Sequence, residues 1–349
     1  MANRKNVTIK NVLLTLVILL YATSYTNKNY LNRRNATKYL HKLAVGSRKV
    51  TYIEGSFNSS ASRRPLGINT RPYVDVEQIL ATNVSTLNNY EIMKLIGYLI
   101  DIPTAKCNKT VILGGKSYCR DENRGATVYD GYKSVCLSDP VRPIPKNCVI
   151  LSFGVGNEFS FDDAAALYGC KVFSFDFTMK NWTHKCYGAG QHFVDIGLGT
   201  SDIEHVVFHA KDMYKSKPDR IIISSQFTLE TILKIYDLSN TTINILKMDI
   251  EGFEWEVFVQ IFKSASTRAI LRKVDQIVLE IHFEFLKNLN EDYDNGFDKL
   301  VTAFEIIQCL YEAGYRLVNW IPNSQSKSAV AMADTEMVMY KELHFIKNI

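Results

Sequence analysis

The sequence contains no C-x-x-C pair, no cysteine and histidine grouping at zinc-finger spacing and no internal repeat, which excludes zinc modules, thioredoxin-like redox motifs and solenoids. Beyond its N-terminal region it has no stripe of basic residues interleaved with aromatics, so a nucleic acid is not an expected partner. No apolar run reaches the roughly 20 residues of a full membrane span. What is present suits a folded protein. Hydrophobic residues make up 46% of the 349, enough for a full core and too many for disorder throughout. The net charge is +5, and basic side chains gather near the N-terminus, among them Arg4, Lys5, Lys10, Arg33, Arg34, Arg48, Lys49, Arg63 and Arg64.

The apolar stretch VLLTLVILLY at residues 12–21 follows Arg4, Lys5 and Lys10 and precedes polar sequence. Residues 1–24 therefore read as a signal peptide, with Ala22 and Ser24 as the small residues of a cleavage site, or as a short signal anchor. Either places the remainder in the secretory pathway, secreted or tethered by one span with the rest of the chain on the lumenal or extracellular side. Membrane contact is expected only through that segment. The sequons at Asn35, Asn58, Asn83, Asn108, Asn181 and Asn240 agree with export. The cysteines Cys107, Cys119, Cys136, Cys148, Cys170, Cys186 and Cys309 read, in an oxidising lumen, as disulfides with one thiol left over; buried free cysteines are the alternative.

Residues 25–84, rich in Asn, Ser, Arg and Lys without hydrophobic period, are expected to form a stem or linker. A helical pattern with Leu87, Ile92, Leu95, Ile96 and Leu99 on one face starts at Ser85, which would cap it, and opens a cysteine-bearing extension over 85–147. From residue 148 to 349, short apolar runs alternate with helix-period segments, the pattern of a parallel sheet with crossover helices. Strands are expected at 148–153, 171–175, 192–196, 205–209, 243–248, 276–281, 315–321 and 336–340. Helices are expected near 161–168, 228–237, 253–264 and 297–313, the last stopped by Gly314. The fold class is α/β and Rossmann-like: a mainly parallel seven-stranded sheet closed by a C-terminal antiparallel hairpin.

The run CVILSF leads into Gly154, Val155, Gly156 and Asn157, with Ser160 as a cap for the next helix, and the following run KVFSF ends in Asp176. Glycines permit a sharp turn and close approach of a ligand, and the helix start offers free N–H groups. An acid some twenty residues on can accept ribose hydroxyls. A nicotinamide dinucleotide would call for a third glycine to cradle its pyrophosphate, and Phe159 stands there; an adenosyl cofactor without pyrophosphate needs only two. Phe153, Gly154, Gly156, Asn157, Asp176 and Phe177 are the expected cofactor-contacting residues.

The stretches SFGVGNEFSFD and LKMDIEGFEWE resemble the FkbM-related methyltransferases, and within them the methyltransferase-like protein 24 group of secretory proteins. The similarity runs from about Cys107 to the C-terminus. One departure is Phe177, where relatives often carry proline after the acid. The resemblance implies a class I methyltransferase fold, S-adenosylmethionine as methyl donor and O-methylation of an unidentified acceptor.

In open α/β sheets ligands sit beyond the carboxyl ends of the strands. That rule brings Asp249 and Glu251 to one strand end and Glu280 and His282 to its neighbour as candidate catalytic groups. His282 or Asp249 would act as general base on a hydroxyl acceptor. A divalent cation held by the carboxylates is an alternative, but no residue is assigned as a metal ligand. Glu251 and Glu280 also read as a helix-start residue and an ion-pair partner, and Lys247 as a salt-bridged or snorkelling side chain. Trp182 and Trp255 read as core, and Cys170 as structural. Two other functions stay open: a lumenal glycosyltransferase, for which Asp292, Tyr293 and Asp294 match the D-x-D pattern, and a non-catalytic protein that keeps the fold.

Overall fold

The computed structural model describes residues 75–121, 126–156, 158–179, 190–209, 221–283, 293–323, 329–332, 335–338 and 340–348. The expected signal or anchor segment, most of the stem, Asn157, Trp182, Cys186 and Asp292 lie outside these residues. Among the described residues no helix is long and apolar enough to cross a membrane.

Before the main sheet come α1 (Val76–Leu80), α2 (Asn89–Asp101), β1 (Thr110–Leu113), β2 (Lys116–Asp121), β3 (Ala126–Asp130) and β4 (Lys133–Cys136). The helix expected from Ser85 starts later, because Asn88 and Glu91 form a capping box: the Asn88 side chain accepts from Glu91 N and the Glu91 carboxylate accepts from Asn88 N. Ser85 lies instead in a short 3-10 turn capped by Asn83. Ile92, Ile96 and Leu99 do form the buried face.

The alternation then follows as β5 (Val149–Phe153), α3 (Ser160–Tyr168), β6 (Lys171–Phe175), β7 (Gln191–Val194), β8 (Ile196–Leu198), β9 (Ile203–His209), β10 (Ile221–Phe227), α4 (Leu229–Ile235) and β11 (Ile243–Met248). It continues with α5 (Glu254–Phe262), α6 (Ala265–Leu271), β12 (Val274–His282), α7 (Tyr293–Glu312), β13 (Tyr315–Pro322), β14 (Ala329–Met332), β15 (Thr335–Val338) and β16 (Tyr340–Lys347). Seven strands make the central sheet in the order β13-β16-β12-β11-β5-β6-β7. The pairs from β12 through β11, β5 and β6 to β7 are parallel, and β16 runs antiparallel to both of its neighbours.

Several expected elements move. The run at 205–209 belongs not to this sheet but to a separate three-stranded one, β8-β10-β9, whose middle strand the apolar pattern alone did not single out. Residues 335–338 pair with β14 as a small hairpin, and the strand that returns to the main sheet is Tyr340–Lys347. Ser160 does not cap α3: it is the first helical residue, and its hydroxyl accepts a hydrogen bond from Gly115 N at 2.6 Å.

Period-two alternation sorts the sheet into two unlike faces. Leu151, Phe153, Phe173, Phe175, Leu246, Met248, Leu279 and Ile281 pack into one core with α2, α5 and α7. The opposite face holds Ile150, Val172, Ile245 and Val278 beneath α3 and Val135, and it also carries Ser152, Ser174, Lys247, Gln276, Glu280 and Glu342, all buried. This polar band is satisfied partly by the extension. The amide of Gln276 accepts from Cys136 N and donates to the carbonyls of Cys136 and Val141, each at 2.9 Å, while His344 Nε2 meets the same Gln276 oxygen at 2.9 Å. Burial holds the His344 imidazole neutral, its pKa lowered to about 3.

Disulfides join Cys107 to Cys136 and Cys148 to Cys170, and Cys309 is a free thiol. The second ties the residue before β5 to the residue before β6, a loop with a sequence separation of 22. Replacing Cys148 and Cys170 together by serine is expected to lower unfolding free energy by about 3 kcal/mol, from restored freedom of the unfolded chain, with the fold retained; denaturant midpoints of the oxidised proteins check this.

Candidate active site

The cleft forms where four parallel strands end. A cavity of about 600 Å³ is lined by Gly154, Gly156, Asp176, Phe177, Lys247, Asp249, Glu251, Glu280 and His282, among others. The expected cofactor-side and catalytic residues thus meet in one place, with two exceptions. Asn157 lies outside the described residues. The Phe153 side chain is fully buried on the other face, stacked on Phe175 with ring centroids 4.8 Å apart, so it supports the turn from beneath.

The glycine turn is fastened at three points. Gly154 takes φ +73°, and its N–H donates to Phe175 O at 3.0 Å. Asp249 N donates to Phe153 O at 3.1 Å. The buried Lys247 ammonium donates to the carbonyls of Phe153 at 3.1 Å and Gly154 at 2.5 Å. Lys247 is therefore a clamp under the turn, also 3.7 Å from Asp249 Oδ2, rather than a snorkelling residue. Beside it Asp176 accepts from Gly156 N at 2.6 Å through Oδ2, and from Thr178 N at 2.7 Å and Thr178 Oγ1 at 2.5 Å through Oδ1.

The second half of the cleft is a charge cluster. Lys133 on β4 is almost fully buried, and its ammonium lies 2.5 Å from Glu342 Oε1, 3.3 Å from Asp249 Oδ2 and 3.6 Å from Glu280 Oε2. Burial would push the Lys133 proton off, but the three carboxylates outweigh it and hold its pKa well above the usual lysine value. Burial works against the Asp249 anion too, yet Lys133, Lys247 and His282 keep it well below the usual carboxylate range. Glu280 goes the other way: burial and the neighbouring Asp249 and Glu342 raise it well above the usual carboxylate range. Its Oε1 accepts from Asn323 Nδ2 at 2.5 Å.

His282 differs from the expected free base. Glu254, fully buried at the start of α5, sits 3.2 Å from His282 Nδ1 through Oε1. Burial alone would lower the imidazole, but the hydrogen bond and charge of Glu254, with Asp249 and Glu280, raise it to about 10. At neutral pH this favours the imidazolium, and Asp249 stays an anion beside it. Glu251 takes φ +58° in the turn between β11 and α5, with its side chain largely exposed and 3.8 Å from His282 Nε2. Trp255 packs in the core, its indole N–H donating to His282 O at 3.0 Å.

Asp249, Glu280 and His282 bring one polar atom each to within 4.8 Å of one another, close enough to share a single ion or a single acceptor atom. Sequence reasoning missed Lys133, Glu342 and Glu254. Glu342 had a signal in principle, as an acid followed by the apolar Leu343 and Phe345 with His344 between them. Glu254 reads as an ordinary helix-start acid, and nothing local marks Lys133.

The sequence profile of the methyltransferase FkbM domain matches residues 120–317, more than half of the chain, and includes the Lys133 strand, the glycine turn, Asp176, Asp249, Glu254 and His282. No curated protein matches the sequence. A mostly parallel sheet with a cleft at its carboxyl edge is the frame such a domain requires, and the chain belongs to the methyltransferase FkbM domain family.

Proposed function

We propose that the protein is an S-adenosylmethionine-dependent O-methyltransferase of the secretory pathway, in the methyltransferase-like protein 24 group. The observation that carries this reading is the junction of the Gly154–Gly156 turn and Asp176 with the Asp249, Glu280 and His282 cluster in one cleft. The cavity is within the range of small-ligand sites, and the open face of Gly156, where an added Cβ would meet nothing within 4 Å, leaves the backbone approachable by an adenosyl group. Asp176 already holds three donors, so of its roughly four acceptor positions one remains, enough for one ribose hydroxyl rather than two.

The donor, when bound, supplies a methyl group whose carbon–sulfur bonding pair leaves with the sulfur, so the protein's tasks are alignment and removal of the acceptor proton. Export is supported by the apolar segment at 12–21, by two disulfides and by exposed side chains at the sequons Asn83, Asn108 and Asn240. The family match favours methyl transfer over glycosyl transfer, and Asp292 of the D-x-D pattern lies outside the described residues.

Calorimetric titration with S-adenosylhomocysteine, set against UDP-sugars, tests the reading: binding of the first alone supports it, and binding of a UDP-sugar alone overturns it. Asp176→Ala is expected to weaken S-adenosylhomocysteine by about 1 to 3 kcal/mol, through loss of one charged hydrogen bond to the ribose and of the Gly156 anchor. Unchanged affinity in a folded variant would move the ribose elsewhere.

A further inference from the structure

Glu254 lies on a helix rather than at a strand end, and it is a fully buried acid in contact with His282. Its Oε1 accepts from Ile250 N at 2.7 Å and its Oε2 from Gly252 N at 3.1 Å, and the same carboxylate reaches His282 Nδ1 at 3.2 Å. One side chain on α5 thus shapes the turn that follows β11 and orients the ring that ends β12. With Nδ1 engaged, the other ring nitrogen lies on the cleft side, 3.8 Å from Glu251 Oε2 and 3.9 Å from Glu280 Oε1, beyond hydrogen-bond length to either. His282 is buried, so this nitrogen has little access to bulk water.

On the opposite side of the same space stands Asp249. Its ion pairs to Lys133 and to Lys247 both fall on Oδ2. Two groups that each hydrogen-bond one oxygen at about 2.8 Å, at a near-tetrahedral angle, stand about 4.6 Å apart. Asp249 and His282 each bring one polar atom to within 4.8 Å of the other, near enough for one oxygen to reach both.

We propose that Glu254 is the positioning residue of the acceptor site: it fixes the His282 ring through Nδ1, so that Nε2–H donates to an acceptor hydroxyl oxygen whose proton passes to Asp249 Oδ1. The assignment rests on the methyl-transfer reading above. It also states why the acceptor is a hydroxyl. A hydroxyl oxygen has two lone pairs, one for the His282 hydrogen bond and one for attack, whereas a neutral amine would surrender its single pair to His282. The charged groups that face the ring are Glu254 from α5, Asp249 and Glu251 from the turn before it, and Glu280 from β12; Tyr340 on β16 adds its ring edge-on at 5.2 Å.

The test uses the full chain labelled with 15N-histidine, long-range 1H–15N correlation of the ring nitrogens, and assignment by His282→Gln. Wild-type His282 is expected to show both nitrogens protonated at about pH 7.5, with a titration midpoint at least about two pH units above an ordinary histidine. Glu254→Gln keeps an oxygen for Ile250 N and Gly252 N but removes the charge. It is expected to lower the His282 midpoint by about two units, while S-adenosylhomocysteine affinity changes by less than about threefold. Glu254→Asp, which keeps the charge at shorter reach, is expected to fall between the two. A His282 midpoint that does not move in Glu254→Gln, or a wild-type ring protonated on Nε2 alone, overturns the assignment. Absence of S-adenosylhomocysteine binding in a wild-type protein that shows the expected ring signature overturns the cofactor reading instead, so the two failures are distinguishable.

Discussion

Gly154→Ala is expected to abolish measurable binding of S-adenosylhomocysteine and to destabilise the protein by about 3 kcal/mol or more. A Cβ at this position would stand 1.6 Å from the carbonyl oxygen of Asp249 and 2.6 Å from its carbon. Both atoms are backbone, so no rotamer change relieves the overlap, and φ +73° adds strain for any side chain. Relief requires the β5 turn to part from β11, which pulls the Gly154 carbonyl away from Lys247 and moves the loop against which an adenosyl group would lie. Gly156→Ala is the control. Its φ is +58° but its Cβ would meet nothing within 4 Å, so only the backbone term of about 1 kcal/mol applies. Thermal unfolding and calorimetry of the two variants separate overlap from strain; equal losses in both would remove the special place given to the contact between Gly154 and Asp249.

Lys133→Met is expected to cost about 3 to 5 kcal/mol, because it leaves buried carboxylates without their shared cation. Among the described residues, Lys133 is the one basic side chain that touches Asp249, Glu280 and Glu342 together. The sign of the pH dependence is specific. In the wild type the folded pKa of Lys133 lies above its unfolded value of 10.5, so its contribution is complete throughout neutral pH and is lost only above 10.5. In the variant the folded pKa values of Glu280 and Glu342 lie further above their unfolded values, so stability is retained at low pH and lost as pH rises. The deficit should therefore shrink between about pH 8 and pH 5, read as urea midpoints of variant against wild type. A deficit of the same size at both pH values would show that Lys133 acts by packing alone.

The frame of the site was legible because it sits on regular pattern. Apolar runs announced β5, β6, β11 and β12, and the residues just past their ends, Gly154, Asp176, Asp249 and His282, had to appear at one edge. What pattern could not show is anything that depends on who covers whom. Lys133 lies on a four-residue strand in the cysteine-bearing extension, where no strand was expected, and its meaning comes from landing on the polar face of a sheet built from residues far along the chain. Glu342 required the strand order, since only the insertion of β16 beside β12 sets it opposite Glu280. The protonation of His282 inverted for the same reason: its intrinsic pKa suits a base, and a buried carboxylate on the next helix changes that. Strand β10 escaped because only its first half is apolar, and it belongs to a small sheet of its own.

The place of β16 bears on how the protein is made. Tyr340–Lys347 follows every other strand in sequence but lies between β12 and β13 in space. On the ribosome, those two strands present hydrogen-bonding edges with nothing between them until residue 347 has been synthesised, and such edges readily recruit other chains. The acid that completes the surroundings of Lys133 arrives with the same segment. Completion of the sheet and assembly of the charged cleft therefore both depend on one segment.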